Sequence, residues 1–331
     1  MNIVLTVIGF LAGFVLLSVV ILALFTAWTA RKVEAVLPAK GRFIDVPGAR
    51  LHVRDFGEAH AERPSIVMIH GLAGQLSHYT YGVAGRLSAH HRVIVVDRPG
   101  SGYSTRAPGT SADLSAQASA VAALIRTLGA GPAFVVGHSL GGAVALTLAL
   151  EHPQVVAGLG LLAPLTHLRE DVPPAFAGLT IQSSFVRKLV AWTLAVPASI
   201  RKSAATLDMV FGPEAVPKDF ATRGGGLLSL RPSAFLSASA DLQALPARLP
   251  LVQERYGELR VPVSVLYGKD DRILDWKANG QALVDKVPGA RLELVEGGHM
   301  LPVTQVERTV AFIEQAVHGL SAIPASDAAA G

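Results

Sequence analysis

Cysteine is absent from this chain of 331 residues. Disulfides, thiol nucleophiles and cysteine-ligated zinc are thereby excluded, while the compartment stays open, because cytoplasm and periplasm both tolerate cysteine-free chains. Charge is scarce as well: charged residues make up 16% and aromatics 6%, against 50% hydrophobic. The net charge is +4, yet the Lys and Arg residues are scattered and form no stripe. With no nucleic-acid motif beside them, a nucleic-acid partner is not expected. Length and apolar content suit one large globular domain, or one domain plus a membrane segment.

Charged side chains are missing altogether from Met1 to Ala30, and Ile3 to Ala27 is almost wholly apolar. About 20 apolar residues span a bilayer core, so this stretch is long enough to cross with some tilt. Trp28 and then Arg31-Lys32 follow, as an interfacial aromatic and a basic stop. A cleaved signal peptide fits less well: a basic n-region is lacking, the apolar run is too long and no clean A-x-A site follows. A buried core helix is rarely this long. Residues 1–30 are therefore expected to form a single transmembrane anchor. Lys and Arg flank only its C-terminal side (Arg31, Lys32, Lys40, Arg42), which places the remaining chain in the cytoplasm by the positive-inside rule.

Residues 31–42 read as a linker. Phe43–Val46 and Leu51–Arg54, separated by Pro47-Gly48, read as a β-hairpin. Ser65–His70 is a continuous apolar run of the buried, parallel-strand kind. Further on, strands are expected at Val93–Val96, Phe134–Val136, Leu159–Leu162, Val263–Tyr267 and Leu292–Val295. Helices are expected near Tyr81–Ala89 and at Leu114–Leu128, Leu140–Leu150, Trp276–Val287 and Val303–Val317. The alternation predicts an α/β class protein with a mostly parallel, doubly wound sheet covered on both faces. Residues 165–250 interrupt it with a helical Phe185–Val196, a Gly224-Gly225-Gly226 run and an amphipathic Phe235–Leu245. An insertion this long between two sheet strands reads as a helical lid, since its apolar residues are too few for a second core. The tail 319–331 is small and polar and is expected to be disordered.

The densest chemistry lies at Gly137-His138-Ser139-Leu140-Gly141, which matches G-x-S-x-G between a predicted strand and a predicted helix. A sharp strand-to-helix turn leaves its corner residue exposed at the strand tip, and the flanking glycines let the two backbones approach closely. The helix N-terminus beside it favours developing negative charge. Ser139 is thus read as a nucleophile. Such a serine needs a base, a group that orients the base and an oxyanion hole. Among 11 histidines, His299 stands out in Glu-Gly-Gly-His-Met after the last strand, where the glycines let its ring reach inward. The acid is sought in Tyr267-Gly268-Lys269-Asp270-Asp271-Arg272, at the carboxyl end of a strand. The chain order Ser, Asp, His is the one expected for this elbow. Backbone N–H groups of Leu72, in His70-Gly71-Leu72-Ala73-Gly74, and of Leu140 are the candidate oxyanion donors. His70, Gly71, His138 and Trp192 are the candidates for the substrate pocket.

Residues 43–318 resemble the α/β-hydrolase fold superfamily, in the branch with a cap after the sixth strand. The resemblance rests on His70-Gly71, on Asp97-Arg98-Pro99-Gly100-Ser101-Gly102-Tyr103-Ser104, and on Gly137-His138-Ser139-Leu140-Gly141-Gly142. It rests further on Gly268-Lys269-Asp270-Asp271-Arg272 and Gly297-Gly298-His299, all in the family's order. The family's G-x-x-D pattern falls on Asp271, with Asp270 as the substitute candidate, and Asp97 is implied to shape a turn beside the site. Two-step acyl transfer is implied, with a small-molecule ester as substrate and no metal or organic cofactor required. Dehalogenases and epoxide hydrolases of the fold carry an aspartate at the elbow, which Ser139 disfavours. Carbon–carbon hydrolases and perhydrolases share the Ser-Asp-His set and stay open as alternatives. A non-catalytic membrane-tethered binding protein is disfavoured by the complete set. Together with an anchor, the apolar lid residues Phe185, Val186, Leu189, Val190, Trp192 and Leu194 point to a carboxylesterase or monoacylglycerol-type lipase.

Overall fold

A computed structural model of the chain describes residues 3–168 and 174–321. The hairpin forms where the Pro47-Gly48 pair turns the chain: β1 (Arg42–Val46) pairs antiparallel with β2 (Ala49–Phe56), Arg42 facing Val53 and Val46 facing Ala49. The purely apolar runs take the sheet centre, where both faces are covered and alternation is unnecessary. There β3 (Ile66–Ile69) and β4 (Val93–Val96) are buried at every position. They are joined by β6 (Ala133–His138), β7 (Val156–Leu162), β8 (Val263–Gly268) and β9 (Arg291–Val295) in the order β1-β2-β4-β3-β6-β7-β8-β9. Pairing is parallel from β4 to β9. The two-residue β5 (Thr105–Arg106), too short to show in the sequence pattern, pairs with β2.

Helix Leu140–Glu151 is buried from Leu140 to Ala149, which explains why it is apolar all round. It packs against Leu114–Thr127, whose start is fixed by Asp113 accepting the Ala116 N–H at 2.8 Å. Val83–Leu87 and Val306–Ser321 make a second helical pair. Three expected helices are broken, each for a local reason. The one near Tyr81–Ala89 is two turns, Ser77–Thr80 and Val83–Leu87, parted at Gly82, where a Cβ would meet the Val306 side chain at 2.8 Å. In place of Trp276–Val287 a π-turn, Lys277–Gln281, runs into Ala282–Val284. There the Asn279 carbonyl is drawn away to the Thr166 hydroxyl at 2.9 Å, and its side chain accepts the Thr166 N–H at 3.0 Å. The last helix divides at Gln305 into Leu301–Thr304 and Val306–Ser321.

The N-terminal helix runs from Ile3 to Val36, so the first part of the expected linker 31–42 is helical instead. Packing supplies the reason: Thr26, Thr29 and Val33 are buried against the globular part, and the turns carrying them extend the helix past Arg31 and Lys32. Its apolar window has a mean hydropathy of 2.9 and no buried residue, and it is long enough to cross a membrane. Between β7 and β8 the described α-helices are Ser184–Trp192, Ala195–Phe211 and Pro232–Glu254, with 3-10 turns at Pro174–Leu179, Gly226–Leu230 and Tyr256–Glu258. The last helix exceeds the expected Phe235–Leu245, continuing through Pro246 and Pro250 to Glu254. Most of the tail expected to be disordered lies outside the described residues.

Candidate active site

Ser139 sits between β6 and helix Leu140–Glu151 at φ 53°, ψ −121°, a conformation that costs a non-glycine residue about 1–3 kcal/mol. The surroundings hold it there: its N–H donates to Leu162 O at 3.1 Å, and its carbonyl accepts from Gly142 N at 2.8 Å and Leu165 N at 2.9 Å. Glycine is required on either side, because a Cβ on Gly137 would stand 2.5 Å from Gly141 O, and one on Gly141 would run into Ile69 O. The 71–74 loop comes equally close, since a Cβ on Gly71 would lie 2.9 Å from Ser139 Cβ. That approach sets Leu72 and Leu140, the two expected oxyanion donors, on the same cavity wall as Ser139.

His299 lines the same cavity as Ser139, and its Nδ1 lies 2.7 Å from Asp271 Oδ2, with the two side chains only 6% and 1% exposed. Asp271 Oδ1 accepts the N–H groups of Ile273 and Leu274 at 2.8 and 2.9 Å, which fixes the carboxylate. Its neighbour Asp270 is exposed and turns to the Gly297 N–H at 3.4 Å, so the pair with the histidine belongs to Asp271. His138 donates from Nε2 to the His299 carbonyl at 2.9 Å, its ring 4.8 Å from the His299 ring. Burial, then the neighbouring His299, hold His138 well below the ordinary histidine range, so it is neutral.

Two polar ties between the insertion and the catalytic loops escaped the sequence pattern. Arg98 is fully buried and donates to His70 O at 3.0 Å, Gly71 O at 2.9 Å and Gln117 Oε1 at 2.7 Å. Its charge is met by Asp241 on helix Pro232–Glu254 at 2.7 Å, and Arg106 reaches the other oxygen of the same carboxylate at 2.8 Å. On the histidine side, Glu214 accepts the Gly298 N–H at 2.7 Å and the Thr304 hydroxyl at 3.2 Å. One signal was present: Asp241 is the single acidic residue between Asp219 and Glu254, inside an amphipathic stretch. Nothing in the sequence marks Glu214.

A cavity of about 850 Å³ opens at Ser139, lined mainly by apolar side chains such as Leu207, Phe211, Phe220, Leu242 and Leu274. Gly71 and His138 line it. His70 and Trp192, expected there, do not line it. His70 lies fully buried behind the loop, donating from Nδ1 to Gly71 O at 2.8 Å and accepting the Arg98 N–H at 3.0 Å, so it braces the loop. Trp192 is 47% exposed on the outer side of its helix. His78 is a wall residue that the sequence did not signal. Burial, partly offset by the attraction of Asp97, lowers it to about 4. Asp97 shapes the turn as the resemblance implied, accepting from Leu76 N at 2.7 Å and Tyr103 N at 2.9 Å and holding His52 at 2.7 Å. Among the described residues no cluster of His, Asp and Glu is arranged to hold a metal ion.

The family model described as alpha/beta hydrolase fold matches residues 64–305, and the chain belongs to this family. One relative is the magnesium-chelatase 30 kDa subunit of Rhodobacter capsulatus, 30% identical over 73% of this chain and 82% of its own length. Another is a 2-hydroxy-6-oxononadienedioate/2-hydroxy-6-oxononatrienedioate hydrolase of Comamonas testosteroni, 27% identical over 74% of this chain and 82% of its own. Among solved structures, a bacterial membrane phospholipase A superposes with a TM-score of 0.70 at 22% identity, covering 95% of this chain and 99% of its own. Family and relatives together support a hydrolase.

Proposed function

We propose that this hydrolase cleaves carboxylic esters by two-step acyl transfer, as a membrane-anchored carboxylesterase or monoacylglycerol-type lipase. The observation that carries the reading is the Asp271–His299 pair at 2.7 Å on the same cavity as a serine held at φ 53°, with Leu72 and Leu140 lining that cavity beside it. His299 Nε2 takes the Ser139 proton as Oγ attacks the ester carbonyl, and Asp271 holds the ring and stabilises its cationic form. The tetrahedral oxygen draws on the N–H groups of Leu72 and Leu140, where loss of one such donor typically costs about 10²–10³ in rate. Protonated His299 passes its proton to the leaving alcohol. Water, deprotonated by the same ring, then releases the acid and restores Ser139.

The cavity wall favours an acyl chain, because apolar residues dominate it and, among the described residues, the Lys and Arg side chains that line it are Lys218 and Arg231. Arg231 is already engaged with Gly102 O, the Tyr103 ring and Glu34. The substrate named for the Comamonas relative is a dicarboxylate, which calls for more unengaged positive charge than the described residues of this wall offer. The likeness to a membrane phospholipase over 95% of the chain adds support for a lipid-derived ester and for helix Ile3–Val36 as a membrane anchor.

The test is a rate profile of the detergent-solubilised full chain on p-nitrophenyl esters of increasing acyl length. Turnover peaking at one chain length and abolished by Ser139→Ala is expected. Absence of ester turnover in folded protein, with cleavage of a vinylogous 1,5-diketone acid, would replace this reading by carbon–carbon hydrolysis.

A further inference from the structure

The insertion's first described α-helix is built the wrong way round for a cover that packs on a core. In Ser184–Trp192 only Ala191 is buried, while Phe185 is 74% exposed and Val186, Leu189 and Trp192 are 43%, 43% and 47% exposed. These positions recur as i, i+1, i+4 and i+7, one continuous stripe, and Leu194 extends it at 55% exposure. An apolar stripe of this kind in water signals a missing partner.

Three observations select the partner. First, the helix packs directly against the N-terminal helix Ile3–Val36. That helix is buried against the domain only from Thr26 onward, and its earlier residues leave the domain as an exposed apolar rod. Wherever Ile3–Phe25 enters a bilayer, the stripe is therefore carried to the same surface. Second, charge matches an anionic headgroup layer: Arg187, Lys188, Arg201 and Lys202 fall in residues 175–207, which hold no acidic residue. Exposed Arg31 and Lys32 stand on the anchor beside them. Third, the surface continues into the reaction cavity. Ser199, Ile200 and Ser203, all exposed and lying just beyond Leu194, line the cavity that reaches Ser139.

We propose that the Phe185–Leu189–Trp192 face lies in the headgroup region of the leaflet that receives the anchor, so that the cavity draws its substrate from that leaflet. The second half rests on the ester-hydrolase reading above; the first does not. The embedded residues set the height of the domain over the bilayer. An acyl chain passes from the lipid along Ile200 into the apolar cavity without crossing water.

Because the chain has no cysteine, Phe185→Cys creates a single labelling site in the full-length protein. That variant, labelled with an environment-sensitive fluorophore, is reconstituted in vesicles of equal parts phosphatidylcholine and phosphatidylglycerol containing headgroup-proximal spin-labelled lipid. The comparison site is Ala89→Cys, exposed just ahead of β4 at the end of the sheet remote from Ser139. We expect about threefold more quenching at 185 than at 89. Equal quenching at the two sites overturns the proposal, as does a blue-shifted but unquenched label at 185, which means that another protein covers the face. In a second arm, Phe185→Ser combined with Leu189→Ser should slow turnover of a vesicle-embedded monoacylglycerol about tenfold and change that of a short soluble ester less than about twofold. Equal effects on both esters overturn delivery from the leaflet. Quenching at 185 in a protein that cleaves neither ester sinks the esterase reading and leaves the membrane contact standing.

Discussion

Asp270 and Asp271 share a loop and a charge, and only their surroundings separate them. Asp271 is buried, takes two backbone N–H groups on one oxygen and gives the other to His299. Asp270 is exposed and caps a backbone turn. Asp271→Asn would present an amide to His299 Nδ1 and favour the wrong tautomer for a base, so kcat/KM on a p-nitrophenyl ester is expected to fall about 10⁴-fold. Asp270→Asn is expected to stay within about threefold of the parent, as an exposed loop substitution. The opposite ranking would transfer the acid's role to Asp270. The G-x-x-D spacing singled out Asp271, and G-x-S-x-G singled out Ser139, because both motifs encode close backbone approaches that only small residues permit. His70 misled for the same reason. A histidine beside the loop glycine looks like a wall residue, but Arg98, far along the chain, occupies its Nε2 and turns it inward.

Among the elements, the insertion divides into a clamp and a blade. Helix Pro232–Glu254 is tied by Asp241 to Arg98 and Arg106, and Glu214 is tied to the loop before His299. Helix Ser184–Trp192 has no buried polar tie of this kind among the described residues. The clamp was illegible in the sequence because Arg98 and Asp241 stand 143 residues apart, and no local periodicity records such a pairing. Helix breaks at Gly82 and Asn279 were hidden likewise, since both depend on partners elsewhere in the chain. Long apolar strands and the two central helices were legible because periodicity and N-caps are local signals. Asp241→Ala leaves the buried Arg98 guanidinium and the half-buried Arg106 guanidinium without their carboxylate, and breaking a buried pair such as Arg98–Asp241 costs about 3–5 kcal/mol. The thermal midpoint should drop sharply, and kcat should fall in the fraction that remains folded, because Arg98 no longer fixes the Gly71 carbonyl. An unchanged midpoint would show that the Arg98 and Gln117 contacts suffice alone.

For the molecule as a whole, three histidines around the site contribute to how stability depends on pH. His70 and His138 are held well below the ordinary range, burial being the larger cause in each, with the Arg98 charge next for His70 and His299 next for His138. His78 is lowered to about 4, again mainly by burial. Unfolding returns all three rings to water, where a histidine titrates near 6.5. Below that value the unfolded chain binds protons that the folded chain refuses, so stability is fully present above the unfolded pKa and is lost as pH falls through the window toward 4. Each ring contributes a slope of up to about 1.4 kcal/mol per pH unit. Denaturant unfolding of the detergent-solubilised chain at a series of values between about pH 7.5 and about pH 5 should show a midpoint that is level at first and then declines below about pH 6.5. His78→Gln should make that decline shallower, because one ring no longer takes up a proton on unfolding. A midpoint that stays level down to about pH 5 would mean that these rings are already protonated in the fold. His138 could not then be the neutral donor to the His299 carbonyl, and the packing of the two rings at 4.8 Å would need a counter-charge beside them.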